Sequence, residues 1–172
     1  MKKKITIALA SATLASGAFA DPAGFNMKLG KTTESEVKSM YSTQHSGINK
    51  YTNGNMYELR STDINFEGLQ EVSTIFNSEG TLVAVLTKFP KGKFEYLNQI
   101  MSQKYKRVRH EVPRVGNKSA TYLDGETEIT LNAPHLSFEM SMNYIRLELK
   151  REYEQQVADE RNQQRKNESQ QL

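Results

Sequence analysis

Residues 1–20 carry a three-part pattern that takes them out of the fold altogether. Lys2, Lys3 and Lys4 form a positive cluster, and Ile5 to Leu14 an apolar run too short for a ~30 Å hydrocarbon layer. Ala18-Phe19-Ala20 supplies a small-x-small cleavage site. The pattern predicts a Sec-type signal peptide cut after Ala20, and with it a bacterial periplasmic or secreted address. That compartment permits disulfides, yet the chain has no cysteine. Residues 21–172 must therefore fold through burial alone, which a body of that size can do.

The missing residue types narrow the chemistry as well. Without sulfhydryls there are no thiol nucleophiles, iron–sulfur clusters or cysteine zinc sites. His45, His110 and His135 are scattered along the chain and lack zinc-site spacing, and no G-x-S-x-G elbow occurs. The reading is of a non-enzymatic protein without cofactor or resident metal. Met140 and Met142 are the weak exception, because alternate strand positions put both thioethers on one face, an arrangement that suits Cu(I). Methionine also fills cores, and that explanation takes precedence here.

Local patterns then divide residues 21–172 into elements. Thr33-Glu34-Ser35-Glu36 is a capping box opening a short first helix, with Val37, Met40 and Tyr41 at helical spacing. Met56–Ser61, Val72–Phe76 and Thr81–Leu86 read as strands; the last lacks alternation and should be covered on both faces. Phe94, Leu97, Ile100 and Met101 form one stripe of a second helix over Lys91–Tyr105. Arg107–Val112, Ala120–Leu123 and Glu126–Leu131 follow as strands, with Asp124-Gly125 as the centre of a two-residue hairpin turn. Leu136, Phe138, Met140, Met142 and Tyr144 alternate with polar residues, as in a strand with one apolar face. At Ile145 the apolar phase flips, which a bulge or a helix start would produce. Leu149, Tyr153 and Val157 recur every four residues, and beyond Ala158 only Leu172 is large and apolar. Residues 149–172 are therefore expected to be a polar helical or disordered tail.

The expected fold class is α+β: an antiparallel sheet packed by two helices, with an α-βββ unit used twice, in a single domain over residues 21–148.

The chain has a formal charge of +3, but the three leading lysines account for all of it. A neutral body gives no whole-protein argument for nucleic acid. Its positive charge is nevertheless concentrated, since Lys88 to Lys118 holds nine basic residues against Glu95 and Glu111. Within it, Lys104, Lys106, Arg107, Arg109 and Arg114 form the candidate partner-binding patch, suited to an acidic protein surface or an anionic envelope component. Charge that keeps an edge strand from pairing with other chains is the competing explanation. Strict alternation places Arg107, Arg109 and Glu111 on one face and Val108, His110 and Val112 on the other, with His110 packed into the core. A second apolar run long enough to span a membrane is missing, as is a lipid-accepting cysteine at the cleavage point.

Leu29-Gly30-Lys31-Thr32-Thr33-Glu34-Ser35-Glu36-Val37, followed by Ile75-Phe76-Asn77-Ser78-Glu79-Gly80-Thr81-Leu82, completes the reading. A Gly-x-Thr helix start leading to a Phe-Asn-x-x-Gly-x-Leu hairpin resembles the small outer-membrane assembly lipoproteins (SmpA/OmlA) and the β-lactamase inhibitor proteins. The likeness covers residues 25–86. It implies helices packed on an antiparallel sheet and a non-catalytic role through protein contacts. The expected function is thus that of an exported periplasmic protein that binds a partner protein, of inhibitor, immunity or envelope-assembly type, partly through its basic surface. The alternative is a periplasmic small-ligand or lipid carrier that uses the apolar face from Leu136 to Tyr144.

Overall fold

The computed structural model of the protein describes residues 23–171, and the predicted signal peptide lies outside the described residues. A small hairpin, β1 (Ala23–Gly24) and β2 (Met27–Lys28), leads into α1 (Glu34–Met40). The capping box is present. The Thr33 N–H donates to Glu36 Oε2 at 2.7 Å, and the Glu36 N–H donates to Thr33 Oγ1 at 3.3 Å, so two donors at the helix start are satisfied reciprocally.

Each of the first two helices feeds a four-stranded antiparallel meander. α1 is followed by β3 (Thr43–Ile48), β4 (Asn53–Leu59), β5 (Glu71–Asn77) and β6 (Leu82–Pro90). α2 (Phe94–Lys104) is followed by β7 (Lys106–Glu111), β8 (Lys118–Asp124), β9 (Thr127–Ala133) and β10 (Glu139–Arg146). The final strands of the two meanders pair with each other, giving one eight-stranded sheet ordered β3-β4-β5-β6-β10-β9-β8-β7. The fold is α+β with an antiparallel sheet, as the sequence predicts, but the unit is α-ββββ rather than α-βββ. The extra strand is β3, whose Thr-Gln-His-Ser-Gly-Ile lies at the sheet edge with no buried residue, so it leaves no hydrophobic signature.

Register fixes which residues share a face, because directly paired residues project to the same side. One row runs His45, Tyr57, Thr74, Val85, Tyr144, Ile129, Tyr122 and Arg107 across all eight strands. Both α1 and α2 lie on this side: the Tyr57 hydroxyl donates to Glu34 at 2.6 Å, and the Tyr122 hydroxyl to the Asn98 carbonyl at 3.0 Å. The main core fills the space between, with Val37, Phe76, Phe89, Leu97 and Tyr122 fully buried or nearly so.

The third helix, α3 (Leu147–Ser169), covers part of the opposite face. Its Leu149 joins Val83 and Ala84 in a second, smaller core beside Ile75, Leu86 and Ile145. This accounts for the phase flip at Ile145. β10 pairs regularly up to Arg146, without a bulge, and the expected helix start follows at once at Leu147, so the end of β10 is covered on both faces. β6 is central and doubly covered, as its unbroken apolar run predicts. The C-terminal tail is a helix that begins two residues earlier than expected. Tyr153 packs edge-on against Tyr51 at 4.9 Å and Lys50 pairs with Glu160 at 3.5 Å, after which residues 161–171 are all exposed.

One local detail departs from the sequence reading. The β8–β9 turn centres on Gly125-Glu126, with Asp124 paired to Thr127; Gly125 takes φ +54° in the first central position, where glycine is favoured. Gly54 has a different reason to lack a side chain. A Cβ there would lie 2.0 Å from the Phe76 carbonyl oxygen, where β4 shifts register against β5.

Candidate functional site

The predicted basic patch falls on the outer edge of the sheet. All six residues of β7 are exposed, as are Lys104 at the end of α2 and Arg114 in the β7–β8 loop. A bulge corrects the expected alternation. Lys106 lies opposite Leu123, Arg107 opposite Tyr122 and Arg109 opposite Thr121, with Val108 left out of the ladder. Arg107 therefore projects to the helix side, and Lys106 and Arg109 to the other, so the two arginines do not share a face. Arg109 pairs with Glu111 at 2.7 Å, whereas Lys104, Lys106, Arg107 and Arg114 form no ion pair among the described residues. Arg107 sits beside the Tyr122 phenol. Burial pushes that hydroxyl's pKa up, and the guanidinium opposes the shift.

His110 is on the helix side but exposed, not packed into the core. α2 packs on β8 and β9 and leaves β7 uncovered, so only Asn98 Nδ2 reaches the His110 ring, at 3.3 Å from Nε2. His45 and His135 are exposed at other places, on β3 and in the β9–β10 loop. Ser35 and Lys38 stand at the S-x-x-K spacing of one class of serine acyl enzymes. Here Lys38 is committed to Glu34 at 2.6 Å.

That Glu34 carboxylate also accepts from the Tyr57 hydroxyl at 2.6 Å and from Asn55 Nδ2 at 3.0 Å. Lys38, Tyr57 and Asn55 together hold its pKa down to about 2. The cluster ties α1 to β4 with every partner engaged.

Met140 and Met142 share the helix face of β10 and are 2% and 1% exposed, inside the main core. Among the described residues no group of three or more His, Asp or Glu side chains is placed to hold a metal. Leu136 and Phe138 do not extend this apolar face. They lie before β10 in a loop and are 92% and 94% exposed. Lys91 holds the loop's backbone, its Nζ donating to the Pro134 and His135 carbonyls at 2.6 Å each.

On the helix side lies a cleft of about 630 Å³ between the C-terminal ends of α1 and α2, floored by Met142 and Tyr144. One wall is Phe25, held at φ +54° in a hairpin turn whose next residue, Asn26, is at +61°. A bulky side chain in this region is strained by about 1–2 kcal/mol. Its ring meets Phe66 at 5.6 Å and Tyr144 at 6.4 Å, both edge-on, and its carbonyl accepts from the Tyr41 hydroxyl at 2.7 Å. Sequence reasoning missed this cleft, because its walls come from four separate segments and no two of its aromatics share a periodic spacing.

On the side of the sheet that carries α3, the row Gln44, Glu58, Ser73, Leu86, Asn143, Thr130, Thr121 and Arg109 runs from edge to edge. Towards β7 this row is made of the small hydrogen-bonding side chains of Asn143, Thr130 and Thr121, and the face ends in Lys106, opposite Leu123, and Arg109. Compared with known proteins, the chain matches no family model, no curated protein and no solved structure.

Proposed function

We propose that the protein is an exported, non-catalytic binding protein whose partner is a protein with an acidic surface, engaged along β7 and the adjoining open face of the sheet. The observation that carries this reading is the state of the β7 edge. It is a fully exposed strand with an unpaired outer ladder and with cations on both faces, most of them without a carboxylate partner. Charged side chains and a bulge also protect an edge; here Lys104 and Arg114 carry the positive charge beyond both ends of β7. The resemblance of residues 25–86 to envelope-assembly and inhibitor modules supports the same reading, as does the signal pattern of residues 1–20.

Steering by such an edge acts mainly on the association rate. An envelope extract passed over the immobilised protein, followed by rate measurements on the retained partner, tests it. Lys106→Glu with Arg109→Glu should slow association by about tenfold at low salt and flatten its salt dependence, with the fold intact by circular dichroism. A partner that binds the double variant at an unchanged rate, or no acidic partner at all, would remove the reading.

A further inference from the structure

The cleft between α1 and α2 contains polar groups that the fold itself does not use. Tyr144 is 4% exposed, yet among the described residues the one acceptor for its hydroxyl is the Met101 sulfur at 3.9 Å, a weak partner. The hydroxyl of Tyr105, half-buried on the same cleft, has no hydrogen-bond partner among the described residues. Burial pushes both phenols up, Tyr144 strongly and with Tyr105 adding to its shift, and Tyr105 with the charge of Asp124 adding. Both are therefore neutral donors at any ordinary pH, and both line the one cleft. Lys104 lines the same cleft and forms no ion pair among the described residues. The opposing charge, Asp63, is engaged by the Ser42 N–H at 2.8 Å, which holds its carboxyl below the usual range.

The rest of the lining is mostly aromatic, methionine and isoleucine, interrupted by the amides of Asn26 and Asn65. Met142 and Met101 supply adaptable apolar surface, and Phe25 is fixed in a strained turn that aims its ring at Phe66 and Tyr144. A cleft with an apolar floor and walls, two under-used donors and one cation without an ion pair among the described residues describe a site for a molecule with an apolar body and a single anionic acceptor. Its volume falls in the range of small-molecule sites, roughly 300–1,000 Å³.

We propose that this cleft binds a small amphipathic carboxylate, its apolar body lying among Phe25, Phe66 and Met142 and its carboxylate taking hydrogen bonds from Tyr105 and Tyr144 and the charge of Lys104. The site is independent of partner binding along β7 except that Lys104 lies near both. Neither Lys106 nor Arg109 lines the cleft.

Calorimetric titration of the purified protein with decanoate, decanol and decylamine tests the assignment. Decanoate should bind one-to-one, and decanol and decylamine about tenfold more weakly or less. Tyr144→Phe combined with Lys104→Gln should bring decanoate down to the affinity of decanol and leave decanol unchanged. Should that double variant fail to fold, Tyr105→Phe, which has no internal hydrogen bond to lose, should weaken decanoate alone by several-fold. Lys106→Glu with Arg109→Glu should leave decanoate binding as it is, so the two proposals fail separately. Absence of one-to-one binding at about 1 mM decanoate, equal binding of decylamine, or full affinity in both cleft variants would overturn the assignment.

Discussion

The two halves of this protein share a topology, but they hold their helices by different physics. α2 is seated by burial: Phe94, Leu97 and Met101 enter the core, while its N-terminus has no side-chain cap. α1 is two turns long and buries only Val37. It is held instead by its capping box and by the Glu34 carboxylate, which reaches Tyr57 and Asn55 on β4. One α-ββββ plan can thus be closed by an apolar stripe or by a polar latch. The choice follows from helix length, since seven residues cannot present a stripe wide enough to bury.

The contrast breaks most readily at Leu97, which is fully buried between α2 and the sheet. Leu97→Ala should cost about 3 kcal/mol, read as a fall in the denaturant midpoint at unchanged slope. A loss below about 1 kcal/mol would mean that burial does not seat the second helix.

A smaller effect marks the latch, and its sign is fixed by charge. The Glu34 pKa is about 2 in the folded protein against an ordinary 4.5, so the folded state prefers the ionised form. The stabilisation is complete above about pH 4.5 and is lost as pH falls towards 2. Glu36 and Asp63 are lowered too, each mainly by a backbone N–H, from Thr33 and from Ser42. Glu34→Gln should therefore lower stability by roughly 1 kcal/mol at pH 7, with the gap to wild type closing near pH 2. Amide exchange in α1 should follow the same titration, and α2 should not. A gap independent of pH would show that Glu34 acts through packing and not through its charge.

What the sequence disclosed divides along the same line. The capping box, the α2 stripe and the doubly covered β6 were legible because each has a local cause in spacing or side-chain chemistry. β3 was not, since an edge strand that buries nothing carries no hydrophobic period. The apolar phase flip at Ile145 was visible and the helix start it allowed lies at Leu147, but the packing of α3 back over the end of β10 is a tertiary event. The basic residues were found individually, yet a single bulge at Val108 reassigned Arg107 to the other face, a one-residue effect that alternation cannot register. The cleft was hidden for a stronger reason: Phe25 and Phe66 come from the first half and Tyr105 and Tyr144 from the second, and the halves join where β6 pairs with β10.

The least effect concerns a hydroxyl on each half of the helix-facing sheet. Thr87 on β6 and Thr127 on β9 are both buried, 2% and 0% exposed. The Thr87 Oγ1 donates to the Met142 carbonyl, whereas the Thr127 Oγ1 has no partner among the described residues. A buried hydroxyl without a partner has lost its water and gained nothing in return. Valine has nearly the same shape, so Thr127→Val should raise stability by about 0.5–1 kcal/mol, while Thr87→Val should lower it by a similar amount. Opposite signs for one substitution at two buried sites would place the difference in hydrogen bonding alone. Equal signs would mean that packing around the added methyl decides both, and that the first half owes less to its polar contacts than Glu34 suggests.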